Sequence, residues 1–231
     1  MSDYAISEEL LRLVKGIRHK PHPWDEFPGG RTALVVVDMQ NYFVAPASQG
    51  GASEAADIVP AINRLASAVR RSGGRVIWLM NTTSGTWESW SVRHELQSPE
   101  RARVRMQAME LGADGFKLWP TLDVRDEDTR VMKKLYSAFL QGSCDLPAEL
   151  RRDGIDYVLI AGTYTNVCCQ ASAQDAMMLN FRTVMVSDCN AGSSPQAHAA
   201  ALDNFFEFFG DVLTSDEVIA RLNAGNRAKA D

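Results

Sequence analysis

The chain has 231 residues, 45% of them hydrophobic and 23% charged, with a formal net charge of -5; this is the make-up of one ordinary globule. The acidic balance leaves no basic stripe for a nucleic acid, and no apolar stretch approaches membrane-spanning length. The first residues lack the basic-then-apolar layout of a secretion signal, so a cytoplasmic location is expected, with neither nucleic acid nor membrane as partner.

Residues 1–30 read as an N-terminal arm. Glu8 to Ile17 has helical spacing of Leu10, Leu11, Leu13 and Val14, and His19 to Gly30 is rich in Pro and Gly and reads as extended. Such an arm packs over its own globule or onto another subunit. From residue 31 to 231 the pattern alternates within one domain. Apolar runs at 32–39, 75–80, 129–132, 156–161, 182–187 and 211–214 read as strands. Helical patterns lie between and after them, at 55–72, 93–111 (with Pro99 as a start or interruption), 146–153, 166–180, 195–209 and 216–222. Continuous apolar strands alternating with helices predict an α/β fold with a parallel sheet covered on both faces.

In open sheets of this kind ligands bind beyond the carboxyl ends of the strands. Three chemically able residues fall there: Asp38 after the first strand, Lys133 after the third and Cys168 just after the fourth. Cys168 follows a Gly-Thr turn and opens a helical pattern, and a helix start favours thiolate. Asp38 can take the thiol proton and later return it to a leaving nitrogen, while Lys133 holds the negative charges. The turn from Gly162 to Thr165 can aim backbone N–H groups at the same spot. Taken singly, each residue has a plainer reading: Asp38 as a turn or cap, Lys133 with Lys134 as a solvated edge, Cys168 as an inert core thiol. Their shared location favours a site. The four cysteines, at 144, 168, 169 and 189, show no Cys-x-x-Cys spacing, and His19, His22, His94 and His198 form no metal-ligand pattern.

Three stretches resemble the isochorismatase-like cysteine hydrolase superfamily: Ala33-Leu-Val-Val-Val-Asp-Met-Gln-Asn41, Val131-Met-Lys-Lys-Leu-Tyr-Ser-Ala-Phe139, and Gly162-Thr-Tyr-Thr-Asn-Val-Cys168 with Asp175-Ala176 in the helix that follows. The resemblance runs from about residue 31 to the C-terminus and selects Lys133 over Lys134. It implies a Rossmann-like six-stranded parallel sheet and an Asp38–Lys133–Cys168 triad. It also implies a non-proline cis peptide between Thr163 and Tyr164, and an oxyanion hole made by the N–H groups of Tyr164 and Cys168. Nicotinamidases of this scaffold carry a histidine metal site after the second strand. Here Asn81-Thr-Thr-Ser-Gly-Thr-Trp-Glu-Ser-Trp90 has no histidine, so neither metal nor other cofactor is expected.

Isochorismatases that cleave a vinyl ether commonly lack the cysteine. Its presence favours hydrolysis of a C–N bond in a small amide or ureido compound, and the Thr-Asn-Val-Cys-Cys run is most similar to ureidoacrylate- or carbamoyl-type amidohydrolases. The alternative is isochorismatase-type hydrolysis of an enol ether with Asp38 as acid. A third possibility is a redox-sensing or binding module built on Cys168 and Cys169. Asn81, at the end of the second strand, can hydrogen-bond a substrate carbonyl or carboxylate. Gln40 can orient Asp38 or meet substrate, Trp87 can wall the pocket, and Tyr136, close to the lysine motif, is a further candidate for contact with substrate. The arm, with what the resemblance implies, points to a homo-oligomer.

Overall fold

In the computed structural model, which describes residues 4–45, 52 and 54–227, the apolar runs pair edge to edge as one sheet. The first three residues of the arm and residues 228–231 lie outside the described part. In chain order the elements are α1 (Glu8–Ile17), β1 (Thr32–Val37), α2 (Asn41–Val44), α3 (Val59–Arg71), β2 (Arg75–Asn81), α4 (Thr86–Ser89), α5 (Ser91–Glu95) and α6 (Pro99–Ala108). There follow β3 (Thr129–Lys133), α7 (Leu146–Arg152), β4 (Tyr157–Thr163), a π-helical turn (Thr165–Cys169), α8 (Gln170–Met178), β5 (Arg182–Ala191), α9 (Pro195–Phe208), β6 (Asp211–Leu213) and α10 (Ser215–Arg227). The strands lie in the order β3-β2-β1-β4-β5-β6 and every neighbouring pair is parallel.

The Val-rich strands carry no polar alternation because both sheet faces are covered. Along β1, Ala33, Val35 and Val37 face one way and Leu34 and Val36 the other, all fully buried. The Leu34 face packs on Ile62, Leu65 and Val69 of α3 and on Val218 and Leu222 of α10. The Val35 face packs on Leu146 and Leu150 of α7, Ala173 and Ala176 of α8, and Leu202, Phe205 and Phe206 of α9. The α1 part of the arm lies over this second layer of its own chain, while Trp24 and Phe27 pack against the first. Val14 of α1 is fully buried, Tyr4 donates to Asp203 at 2.8 Å, and the Arg18 guanidinium donates to the carbonyls of Phe206 and Gly210.

Three stretches depart from the sequence reading. The single helix expected over 93–111 is broken into α5 and α6, because the Ser98 hydroxyl accepts from the Arg101 amide and Pro99 opens a new helix behind it. The helix expected from Asn166 starts as a π turn and becomes α-helical only at Gln170. β5 runs past Ser187 to Ala191, through polar residues that look like loop. The Asn190 amide donates to Ile160 O at 2.9 Å and Val186 O at 2.7 Å, bridging the place where the β4–β5 register shifts.

Sheet order places the site. From β1 the chain moves outward through β2 and β3, then returns to β4 on the other side of β1. The connections diverge above the β1–β4 pair and leave a crevice at their carboxyl ends. The two strands approach closely there. A Cβ on Gly162, whose φ is +113°, would lie 2.1 Å from Val37 O, so only glycine permits that contact.

Candidate active site

Asp38 is the first residue past β1 and holds the left-handed conformation, φ +53°. This non-glycine outlier is kept by its surroundings: the Asp38 amide donates to Leu79 O at 3.1 Å, and Thr163 Oγ1 donates to Asp38 O at 3.2 Å. Lys133 ends β3. Strand alternation turns it inward and sends Lys134 to solvent, so one lysine of the pair is fully buried and the other exposed.

Lys133 Nζ donates to Asp38 Oδ2 at 2.9 Å and to Leu135 O at 3.1 Å, with neither side chain of the ion pair exposed. Burial alone would pull the lysine pKa down. The Asp38 carboxylate outweighs it, aided by Cys168, and holds Lys133 above the ordinary lysine range. Asp38 Oδ1 accepts no hydrogen bond of ordinary geometry, although it is buried.

Cys168 lies in the π turn after β4, behind the cis peptide Thr163–Tyr164. The turn and the start of α8 that continues it are tied from two sides. Thr165 Oγ1 is 2.8 Å from His198 Nδ1 on α9, and Ser172 Oγ accepts from the Ala138 amide in the loop after β3. The helix-start reading expects a thiol that ionises easily, and the structure places it otherwise. Cys168 is buried, and burial pushes its pKa up to about 12; Lys133 and Arg105 pull it down and the Asp38 charge pushes it further up. The resting side chain is therefore the neutral thiol. Cys169 is fully buried, its sulfur directed at Ala161 O, 4.0 Å away, in the core beneath.

The other sequence-predicted residues separate into two groups. Asn81, at the end of β2, is in register with Lys133 and is 1% exposed, with its Nδ2 unpartnered. Tyr136 is half-buried beneath the Trp90 ring, at 4.8 Å between centroids, with the Arg93 guanidinium 5.6 Å from its own. Gln40, by contrast, is a brace: its Nε2 donates to Asn81 O and Phe116 O and its Oε1 accepts from the Asn81 amide, which leaves no amide donor for a ligand. Trp87 on α4 is 60% exposed, stacks on His94 and lines a groove of about 500 Å³ whose walls include none of Asp38, Lys133 and Cys168.

Sequence reasoning missed Arg105. It is 6% exposed, its Nη2 donates to Asn81 Oδ1 at 3.0 Å, and it stands in the electrostatic field of Cys168, Tyr42 and Tyr136. Burial, then Arg93, lowers its pKa. The available signal was helical spacing: Ala102, Arg105 and Met109 share the buried face of α6 and its C-cap. Among the described residues no three His, Cys, Asp or Glu side chains gather as a metal-ligand set, and no helix is long and apolar enough to cross a membrane.

A six-stranded parallel sheet bearing this acid–lysine–thiol cluster at its switch point defines a class of hydrolases. Residues 32–217 match the isochorismatase domain family, and the chain belongs to the isochorismatase-like cysteine hydrolases. It is 31% identical to the ureidoacrylate amidohydrolase RutB of Pseudomonas syringae pv. syringae (strain B728a), across 94% of this chain and 91% of that one. A cysteine hydrolase from Pseudomonas syringae pv. phaseolicola 1448A superposes with a TM-score of 0.78 at 27% identity, covering 88% of this chain and 98% of the other. N-carbamoylsarcosine amidase from Thermoplasma acidophilum superposes with a TM-score of 0.63 at 27% identity, covering 80% and 97%.

Proposed function

We propose that the protein is a cysteine-dependent amidohydrolase that cleaves a C–N bond of a small ureido or amide compound through Asp38, Lys133 and Cys168. One observation carries the assignment of roles. The Asp38 carboxylate is fully buried and fixed through Oδ2 by Lys133, while Oδ1 stays without a hydrogen bond beside a protonated thiol. An oriented carboxylate with one oxygen to spare is what a thiol needs to deliver its proton.

In this reading Asp38 Oδ1 takes the proton as Cys168 Sγ attacks the carbonyl carbon. Lys133 keeps the total charge near neutral throughout, and the Tyr164 and Cys168 amides receive the oxyanion. The tetrahedral adduct collapses as Asp38 returns the proton to nitrogen. The C–N bond breaks, amine or ammonia leaves, and a thioester (a thiocarbamate for a ureide) remains on sulfur. Water then adds, giving its proton to Asp38; the C–S bond breaks and the thiol is restored. The similarity to RutB and to the carbamoylsarcosine amidase supports a ureido or carbamoyl group as the target.

The same reading places the enzyme in the cytoplasm, supported by four cysteines that are all free. It also makes the enzyme a homo-oligomer, supported by the exposed Trp87, Val92 and Leu96 on adjacent short helices; light scattering in solution checks this. To test the chemistry, Cys168→Ala is assayed for ammonia release from ureides and amides, with circular dichroism as the control for folding. Loss of at least about 1,000-fold is expected of a missing nucleophile. Full activity in that variant, or turnover of an enol ether without ammonia, would sink the mechanism.

A further inference from the structure

The segment that carries Cys168 is not an ordinary helix start. Thr165–Cys169 is a π turn, closed by the Cys169 amide on Tyr164 O at 3.1 Å, and α-helix begins only at Gln170. Such turns are rare, and side chains from outside hold this one. Thr165, its first residue, is fully buried and places Oγ1 2.8 Å from Nδ1 of His198, which is 3% exposed. Asn166 exchanges two bonds with Ser193 in the chain entering α9. Its Nδ2 donates to Ser193 Oγ at 3.1 Å, and its Oδ1 accepts from the Ser193 amide at 3.0 Å.

His198 is itself closely held. Its amide donates to Ser194 O at 2.9 Å at the start of α9. A Cβ on Gly192 would lie 2.8 Å from His198 Cβ, so the chain leaving β5 passes directly against it. Tyr4 of the arm meets the imidazole edge-on, with 5.9 Å between centroids and 89° between planes. Tyr4 Oη donates to Asp203, further along α9, at 2.8 Å. Burial lowers the His198 pKa against the opposing pull of Glu54, so the ring is neutral at neutral pH. A hydrogen bond between two neutral groups shut off from water fixes geometry without the cost of a buried charge. The arm thus reaches the Cys168 turn through two contacts, Tyr4 on His198 and His198 on Thr165. In the chain, Thr165 stands between Tyr164 and Cys168, whose amides receive the oxyanion in the mechanism above.

We propose that His198, backed by Tyr4, is a positioning residue: by fixing Thr165 it sets the spacing of the Tyr164 and Cys168 amides and the aim of the thiol. The N-terminal arm is then a working part of the site. The proposal rests on the hydrolase reading above and adds to it a support that acts only through Thr165. A displaced oxyanion hole weakens binding of the transition state and leaves binding of the substrate as it was, so the effect falls on kcat.

The test is a set of full-length variants with two readouts: ammonia release from a ureide, and amide hydrogen exchange over residues 164–169 of the substrate-free protein. His198→Asn keeps a polar atom where Nδ1 stood, one bond beyond Cγ. His198→Gln fills the space but carries its amide one bond further. His198→Gln and Thr165→Val are each expected to lower kcat about 5-fold at unchanged KM. The double variant is expected to lose the same factor and not about 25-fold, since both changes remove one bond. His198→Asn is expected to recover most of the lost kcat. Tyr4→Ala is expected to lower kcat about 2-fold alone and not at all when added to Thr165→Val. Exchange over 164–169 is expected to quicken at least about 10-fold in His198→Gln and to return in His198→Asn. Equal kcat in the Asn and Gln variants overturns the proposal, because packing is then the whole role of the ring. So do a loss carried by KM, losses that multiply in the double variant, or unchanged exchange in His198→Gln. If His198→Gln does not fold, Tyr4→Ala with Thr165→Val decides by the same multiplication. No ammonia from any ureide in the unaltered enzyme removes the hydrolase reading, while the exchange pattern still tells whether His198 holds the turn.

Discussion

Two aspartates lie at opposite ends of β3, Asp128 preceding it in the chain and Asp38 reaching its last residue from β1, and the protein treats them in opposite ways. Asp128, just before the strand, is saturated. Its oxygens accept from Arg70 Nε at 2.9 Å, Arg70 Nη2 at 2.6 Å, Trp78 Nε1 at 2.8 Å and the Arg125 amide at 2.9 Å. Asp38, at the far end, holds one partner on Oδ2 and leaves Oδ1 empty. Both carboxylates are buried beside a cation. The saturated one anchors the entry to β3. The unsaturated one keeps an oxygen that, in the proposed mechanism, takes the thiol proton. Incomplete hydrogen bonding of a buried acid costs stability, and in the proposed mechanism that loss falls on the oxygen that receives the proton.

The largest expected effect sharpens this contrast directly. Asp38→Asn is expected to lower kcat by about 1,000-fold or more through loss of the proton acceptor, measured as ammonia release from a ureide. Asp128→Asn is expected to leave the turnover of the folded fraction near its starting value. It is also expected to cost about 3 kcal/mol in urea unfolding, because Arg70 loses its buried counter-charge. If Asp128→Asn proved as inactive as Asp38→Asn at full stability, the division of labour between the strand's two ends would be wrong.

The pH dependence of stability comes next in size, and its two limbs arise from different residues. Burial raises the Asp128 pKa, but Arg70, the Arg125 amide and Trp78 together outweigh it and hold the pKa below the usual carboxylate range. A depressed folded-state pKa means that the stabilisation is present above the unfolded value and is lost as pH falls through the folded one. The melting temperature is therefore expected to drop below about pH 4, less steeply in Asp128→Asn. Cys168 runs the other way. Its folded pKa, pushed up to about 12, lies above that of a free thiol, so its contribution is intact below the unfolded value and lost as pH rises toward the folded one. Cys168→Ala is expected to flatten the alkaline limb, and the free enzyme to react slowly with iodoacetamide at neutral pH. Rapid alkylation of Cys168 in the substrate-free protein would show a resting thiolate and contradict the assignment of Asp38 as proton acceptor.

The smallest effect concerns the tether of the turn that carries Cys168. Thr165→Val removes the 2.8 Å contact with His198 and is expected to cost about 1 kcal/mol of stability. A small loss of kcat should accompany it, since the π turn that carries Cys168 then loses its side-chain bond to α9. Thermal unfolding and steady-state kinetics on the same sample check both.

Much of this was readable in advance, for reasons specific to each element. β1 and β4 are unbroken apolar runs ending in Asp38 and in a Gly-Thr turn, and period and punctuation suffice to place them. Cys168 follows the end of β4, and the family resemblance selected Lys133 over Lys134 at the end of the more polar β3, so the cluster could be named before the structure was seen. The polar tail of β5 was not readable, because its pairing depends on the Asn190 side chain standing in for ladder bonds between residues far apart in sequence. Arg105 was not readable either: on α6 it is one of four arginines and glutamates in a strongly polar helix, and nothing local says which one turns inward.

The sequence alone thus determined the strand and helix order, the parallel sheet, and which acid, lysine and thiol stand at its carboxyl edge. The order and the sheet follow from local periodicity and from one rule of strand topology, and the choice of Lys133 over Lys134 from the family resemblance. Only the tertiary structure decided which Asp38 oxygen is left over, that the Cys168 thiol rests protonated, that Gln40 is a brace, and that a buried arginine bonds the Asn81 side chain. Those are properties of distance and desolvation between segments remote in the chain, and neither quantity exists until the chain has folded.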